Sequence, residues 1–109
     1  AVNNNPIEPR YYYHLGSLME RQGKPGEAKY YYEEAIKLDP NSELSYTALG
    51  DICAKQDYWW DEAIDAYRRA IELNPNSAII CKKLGEVLIG QGKTEEAIVV
   101  YERAVQLGL

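Results

Sequence analysis

The chain has 109 residues and a formal charge of −5, from 12 Lys and Arg against 17 Asp and Glu. That is one small domain's worth of sequence, or a piece of a longer one, and its acidity speaks against a nucleic-acid or anionic-membrane surface, both of which need a basic footprint. No apolar run approaches the roughly 20 residues that span a bilayer; the best is Ala97-Ile98-Val99-Val100-Tyr101.

Residues 1–8 read as an extended leader. Ala1-Val2-Asn3-Asn4-Asn5-Pro6 has neither the basic patch nor the apolar stretch of a secretory signal, so cytoplasm is the default compartment. A first helix is predicted from Pro9 to Gln22, with Pro9 suited to its first turn. Gly23-Lys24-Pro25-Gly26 breaks it. A second helix carries Ala28, Tyr32, Ala35 and Leu38, whose spacing of four, three and three residues places them on one face. Asp39-Pro40-Asn41-Ser42 ends it and caps the next. Further helices are predicted near 43–56 and 61–73, closed by Asn74-Pro75-Asn76-Ser77, and near 78–90 and 94–107, parted at Gly90-Gln91-Gly92.

The six helices are three copies of one unit. Leu15-Gly16, Leu49-Gly50 and Leu84-Gly85 lie 34 and 35 residues apart, and each is followed by the same landmarks: Ala28, Ala63, Ala97; Tyr32, Tyr67, Tyr101; Ala35, Ala70, Ala104. A period of this length with small residues at fixed helical offsets specifies an all-α array of stacked helix pairs. Repeat 1 is placed at 9–42, repeat 2 at 43–77 and repeat 3 at 78–109, with no capping helix after it. One extra residue falls between Gln56 and Ala63, in the turn that also holds Trp59 and Trp60. A mid-helix Gly costs about 1 kcal/mol against Ala, so Gly16, Gly50 and Gly85 imply close approach of the partner helix. Ala28, Ala63 and Ala97 are the expected small partners. Cys53 and Cys81 sit at different repeat positions and read as buried packing residues, neither a disulfide nor a metal motif.

The pattern resembles the tetratricopeptide repeat. Its aromatic, Leu-Gly, large, Ala, aromatic, Ala and Pro positions are filled by Tyr12, Leu15, Gly16, Met19, Ala28, Tyr32, Ala35 and Pro40 in the first copy. The second copy supplies Tyr46, Leu49, Gly50, Cys53, Ala63, Tyr67, Ala70 and Pro75. The third departs with Cys81 at the aromatic position and Leu109 where Pro is usual. The resemblance implies a right-handed α-solenoid whose first helices line a concave groove for a peptide or protein segment. The matching groove positions are Arg10, Tyr13, Ser17 and Glu20; Leu44, Thr47, Asp51 and Ala54; Ile79, Lys82, Lys83, Glu86 and Ile89. The basic clamp for chaperone tails known in that family is not expected, since its places hold Tyr13, Ser17, Ala48, Ile79 and Lys83. The asparagine ladder of its sugar-transferase members is missing too, at His14, Ala48 and Lys83.

No residue set suggests catalysis. His14 stands alone, and the adjacent carboxylates Glu33-Glu34 and Glu95-Glu96 suit exposed helix faces or first turns. No cofactor or metal is expected, and the chain reads as a non-enzymatic interaction scaffold with a protein or peptide partner. Three surfaces recommend themselves beside the groove. Tyr12 and Tyr32 are expected in the core, with Tyr11, Tyr13, Tyr30 and Tyr31 partly exposed. Trp59 and Trp60, in the enlarged turn, are candidate exposed anchors or, for one of them, a lid over the helix pair. Ile80, Ile98, Val99 and Val105 form a candidate self-association edge of repeat 3, since an array leaves its last repeat with an apolar face. Self-assembly through that edge, and a targeting role beside an enzyme on a longer chain, are the alternative functions.

Overall fold

The computed structural model describes residues 8–108. Most of the leader, and Leu109 at the usual proline position, lie outside that range. Six helices follow in order: α1 (Pro9–Arg21), α2 (Pro25–Leu38), α3 (Glu43–Ala54), α4 (Trp60–Leu73), α5 (Ala78–Gly90) and α6 (Thr94–Gln106). The helices pack as three pairs, α1 on α2, α3 on α4 and α5 on α6, and each pair stacks on the next through α2 against α3 and α4 against α5. The product is an elongated helical-repeat solenoid with principal extents of 54 × 26 × 18 Å.

Short sequence signals set the helix ends. The Asp39 carboxylate accepts from the Asn41 N–H at 3.2 Å, and Asn74 Oδ1 accepts from Asn76 N–H at 3.4 Å. Each of these turns delivers a serine to the next N-cap. Ser42 Oγ accepts from Ser45 N–H and Ser77 Oγ from Ile80 N–H, both at 3.3 Å, so each satisfies a donor the helix leaves open.

Within repeats 1 and 3, the corner between the two helices turns on a left-handed glycine, Gly23 (φ 74°) and Gly92 (φ 78°). Lys24 N–H then reaches Met19 C=O, and Lys93 N–H reaches Leu88 C=O, each at 2.9 Å. Repeat 2 has Asp57 at this place. Its chain leaves α3 at Ala54, two residues before the predicted end, and forms a 3-10 turn over Asp57–Trp59. Trp59 N–H donates to Gln56 C=O at 2.9 Å, and α4 starts at Trp60. Without a glycine to take the left-handed conformation, the corner uses one more residue.

The core runs through all three pairs. Ala28, Ala35, Ala63, Ala70, Ala97 and Ala104 are buried, with Tyr32, Tyr67, Leu84 and Leu88 among the largest buried side chains. The glycines meet a different partner from the one expected. A Cβ at Gly16 would fall 2.6 Å from the Tyr32 ring, at Gly50 2.5 Å from Tyr67, and at Gly85 2.9 Å from Tyr101. The tyrosine of the second helix, rather than its alanine, lies flat against the bare backbone.

Burial pushes the Cys53 thiol up to about 12. Burial also raises the Tyr67 phenol, helped by its hydrogen bond to Asp51, and the Tyr32 phenol, helped by Glu20. Burial alone would lower the Lys29 ammonium, but hydrogen bonds to Glu62 and Glu33 outweigh it and push the group up to about 12. Among the described residues, no helix is long and apolar enough to cross a membrane.

Candidate functional site

Two lanes of side chains divide the solenoid into faces. On one side, Lys29 of α2 pairs with Glu62 of α4 at 2.8 Å, and Arg68 of α4 with Glu96 of α6 at 2.9 Å. On the other, Glu20 of α1 pairs with Lys55, just past α3, at 3.1 Å, and Asp51 of α3 with Lys83 of α5 at 2.9 Å. The helices α1, α3 and α5 therefore share one face, the one that carries the candidate groove.

Each acid of that second lane also takes a hydroxyl from the core. Tyr32 Oη donates to Glu20 at 2.7 Å, and Tyr67 Oη donates to Asp51 at 2.6 Å. The ring that fills the gap over the glycine thus ends in a carboxylate, which in turn holds a lysine of the following repeat. Packing within a repeat and registry between repeats share three side chains.

The structure brings the candidate groove residues to one face but leaves them unequal in what they offer. Arg10 is exposed and engages Glu8 at 2.9 Å. Tyr13 is half-buried, its ring 5.7 Å from that of Tyr32. Ser17 is half-buried as well. Thr47 spends its hydroxyl hydrogen on Glu43 C=O at 2.9 Å. Lys83 binds both oxygens of Asp51, at 3.0 and 2.9 Å. Lys82 and Glu86 form an exposed pair at 4.0 Å. The apolar members stand free: Leu44 is 59% exposed and Ile79 60%, with Ile89 exposed beside them.

Two clefts open on this face. One, of about 270 Å³, lies between the start of α1 and the start of α3, where Arg10, Tyr13 and Leu44 line it. The other, of about 190 Å³, lies between α3 and α5 and is lined by Ala54, Trp60, Tyr67, Lys83, Glu86 and Val87.

Three expectations are corrected. Trp59 and Trp60 are not exposed anchors: both are half-buried and pack against the core. Trp60 Nε1–H donates to Ala54 C=O at 2.9 Å, and its outer ring edge lies on Gly90, where a Cβ would come within 2.7 Å. Trp59 lies under Lys29, whose Nζ is 5.4 Å from the ring centroid. The enlarged turn is long enough for both indoles to fold back. The exposed aromatic there is Tyr58, at 74%. Ile80 does not belong to the edge, because it points from α5 into the core and is buried. Ile98, Val99 and Val105 of α6 are exposed, and a shallow depression lined by Ile98, Tyr101 and Val105 lies there. Tyr12 is half-buried rather than core, stacked on Tyr31 at 6.1 Å.

Sequence reasoning missed the linked tyrosine, carboxylate and lysine sets. The signal for them was the separation of Glu20 from Lys55 and of Asp51 from Lys83, 35 and 32 residues, close to one repeat.

Comparison with known proteins agrees with this architecture. Tetratricopeptide repeat sequence models match residues 9–42 and 80–107, and a further model described as TPR repeat matches 60–92. No curated protein matches the chain. Among solved structures, MamA superposes with a TM-score of 0.87 at 25% identity, over 92% of this chain and 58% of that one. YrrB, described as a TPR protein with an unusual peptide-binding site, superposes with a TM-score of 0.86 over 95% of this chain and 53% of its own; at 20% identity this likeness concerns the fold alone. The chain therefore spans little more than half the length of these solved chains. With three helix pairs at the period of the repeat and its sequence models matching residues 9–42 and 60–107, the chain belongs to the tetratricopeptide repeat family.

Proposed function

We propose that the chain is a protein-interaction scaffold that holds a peptide segment of its partner on the face of α1, α3 and α5. The observation that carries this reading is the pairing of charge there. Glu20 with Lys55 and Asp51 with Lys83 pair charges between neighbouring repeats, while Leu44, Ile79 and Ile89 remain exposed on α3 and α5. Polar groups already matched within the fold, beside free apolar side chains, suit an extended ligand, because little of the site has to be ordered on binding. The peptide-binding description of YrrB and the generally non-catalytic character of the fold support the same reading.

The test is selection of random peptides on the immobilised chain. Selected peptides are expected to lose binding to Thr47→Arg and Leu44→Asp, and to bind Asp65→Arg, on α4, unchanged. Equal binding to all three variants would remove the groove reading.

A second reading has its own observation. Ile98 (51%) and Val105 (67%) of α6 are exposed, whereas Ile64, one repeat earlier than Ile98, is buried. On α1, Tyr11 and Leu18 are exposed as well, while Ile52 and Val87, at the repeat position of Leu18, are buried. The α6 face of one copy and the α1 face of another have the makings of the contact that α2 makes with α3. Sedimentation velocity over a wide concentration range tests this self-assembly: association abolished by Ile98→Asp supports it, and a concentration-independent monomer removes it.

A further inference from the structure

The cleft between α3 and α5 is built more firmly than the rest of the face. Its wall, Trp60, is held at both ends, by the Nε1–H bond to Ala54 C=O at 2.9 Å and by the ring edge seated on Gly90. Its floor is apolar, with Tyr67 and Val87 buried beneath it. An aromatic wall fixed by two helices needs no ordering when a ligand arrives.

The charges of the cleft are not equivalent. Lys83 gives its ammonium to both oxygens of Asp51, and Tyr67 Oη bonds the same carboxylate, so this cation is spent on the wall itself. Glu86 is held loosely. Among the described residues its one cation within ion-pair range is Lys82, at 4.0 Å, and both side chains are about half exposed. Such an exposed pair contributes little and is readily exchanged. The lining carries one ammonium and one carboxylate, and the two differ in how closely they are matched: Lys83 by Asp51 at 2.9 Å, Glu86 by Lys82 at 4.0 Å. A cationic ligand group would find in Glu86 an exchangeable carboxylate, with aromatic rings and an apolar floor for its stem. The net charge of −5 favours approach of a cationic ligand.

We propose that the α3–α5 cleft is a specificity pocket for an arginine or lysine side chain of the bound peptide, with Glu86 as its ion-pair partner and Trp60 as the wall beside it. This rests on the groove reading above and deepens it by naming the ligand as a basic peptide segment.

The experiment uses peptides selected from a random library on the full chain, each then resynthesised with its arginine replaced by citrulline, which keeps the shape and removes the charge. Selected sequences are expected to be enriched in Arg and Lys. Citrulline is expected to weaken binding about tenfold in the wild type and by less than about twofold in Glu86→Gln, with the tenfold loss kept in Lys82→Gln. Glu86 is exposed, so Glu86→Gln is expected to melt with the wild type, which keeps a binding change separate from unfolding. Peptides that are lost on Thr47→Arg but show no basic enrichment and no citrulline effect would overturn the cationic pocket and leave the groove standing. Peptides indifferent to Thr47→Arg would overturn both.

Discussion

The smallest unit of this fold is a missing side chain. Gly16, Gly50 and Gly85 each sacrifice about 1 kcal/mol of helix propensity, and each lets a tyrosine ring lie against the backbone of the paired helix. Their repetition was legible in the sequence, because only a small residue recurs at that register. Their partner was not, because spacing says which face a residue occupies and not which side chain reaches across. The alanines share the face; the tyrosines are long enough to cover it. The distances rank the consequences. At Gly50 the new Cβ would stand 2.5 Å from a buried ring whose hydroxyl is tied to Asp51, whereas at Gly85 it would stand 2.9 Å from the half-buried Tyr101. Gly50→Ala is expected to lose about 1–3 kcal/mol in urea denaturation, Gly85→Ala less, and Gly50→Leu to unfold the array. A Gly50→Leu variant that melts with the wild type would contradict the close-approach account.

At the scale of elements, the ties between helices are made of protonating groups, so pH reads them out. Cys53, Tyr67, Tyr32 and Lys29 all hold their protons more tightly in the fold than at the ordinary values of 9.0, 10.0, 10.0 and 10.5. A group raised on folding contributes stability that is fully present below its ordinary value and is lost as the pH rises beyond it. The melting temperature is therefore expected to show no loss from these groups up to about pH 9 and to fall progressively above it, as burial costs come due for Cys53 first and for the phenols and Lys29 next. Tyr67→Phe, which cannot ionise, is expected to start less stable and fall less steeply. A melting temperature that climbs between pH 9 and pH 11 would contradict the assignment. The turn of repeat 2 belongs to this scale too. Its extra residue was plain from the shift in repeat spacing, but the 3-10 conformation and the inward fold of Trp59 and Trp60 follow from what a glycine-free corner can adopt and from the room at Gly90, and no local pattern states either.

Across the whole molecule, a solenoid makes contacts only between neighbouring units, so faces rather than a central cavity carry its function. The helix register therefore made the shared face of α1, α3 and α5 legible: positions on the first helix of each pair recur on one side of the stack. The electrostatics of that face were not legible. Glu20, Asp51, Lys55 and Lys83 are separate charges in the sequence and become two closed pairs only when repeats stack, which leaves Glu86 as the loosely held acid. Ile80 was misplaced for a related reason, since one helical step separates the exposed Ile79 from the core and both are isoleucine. The central claim, a peptide held across α1, α3 and α5, is tested most directly by amide chemical-shift mapping of the isotopically labelled chain with a selected peptide. The account predicts perturbations concentrated at residues 10–20, 44–54 and 79–89, with the indole N–H of Trp60 among them and α2 and the outer side of α4, at Asp65 and Arg68, quiet. Perturbations confined to α6, or to the outer lane of Lys29, Glu62 and Arg68, would contradict it.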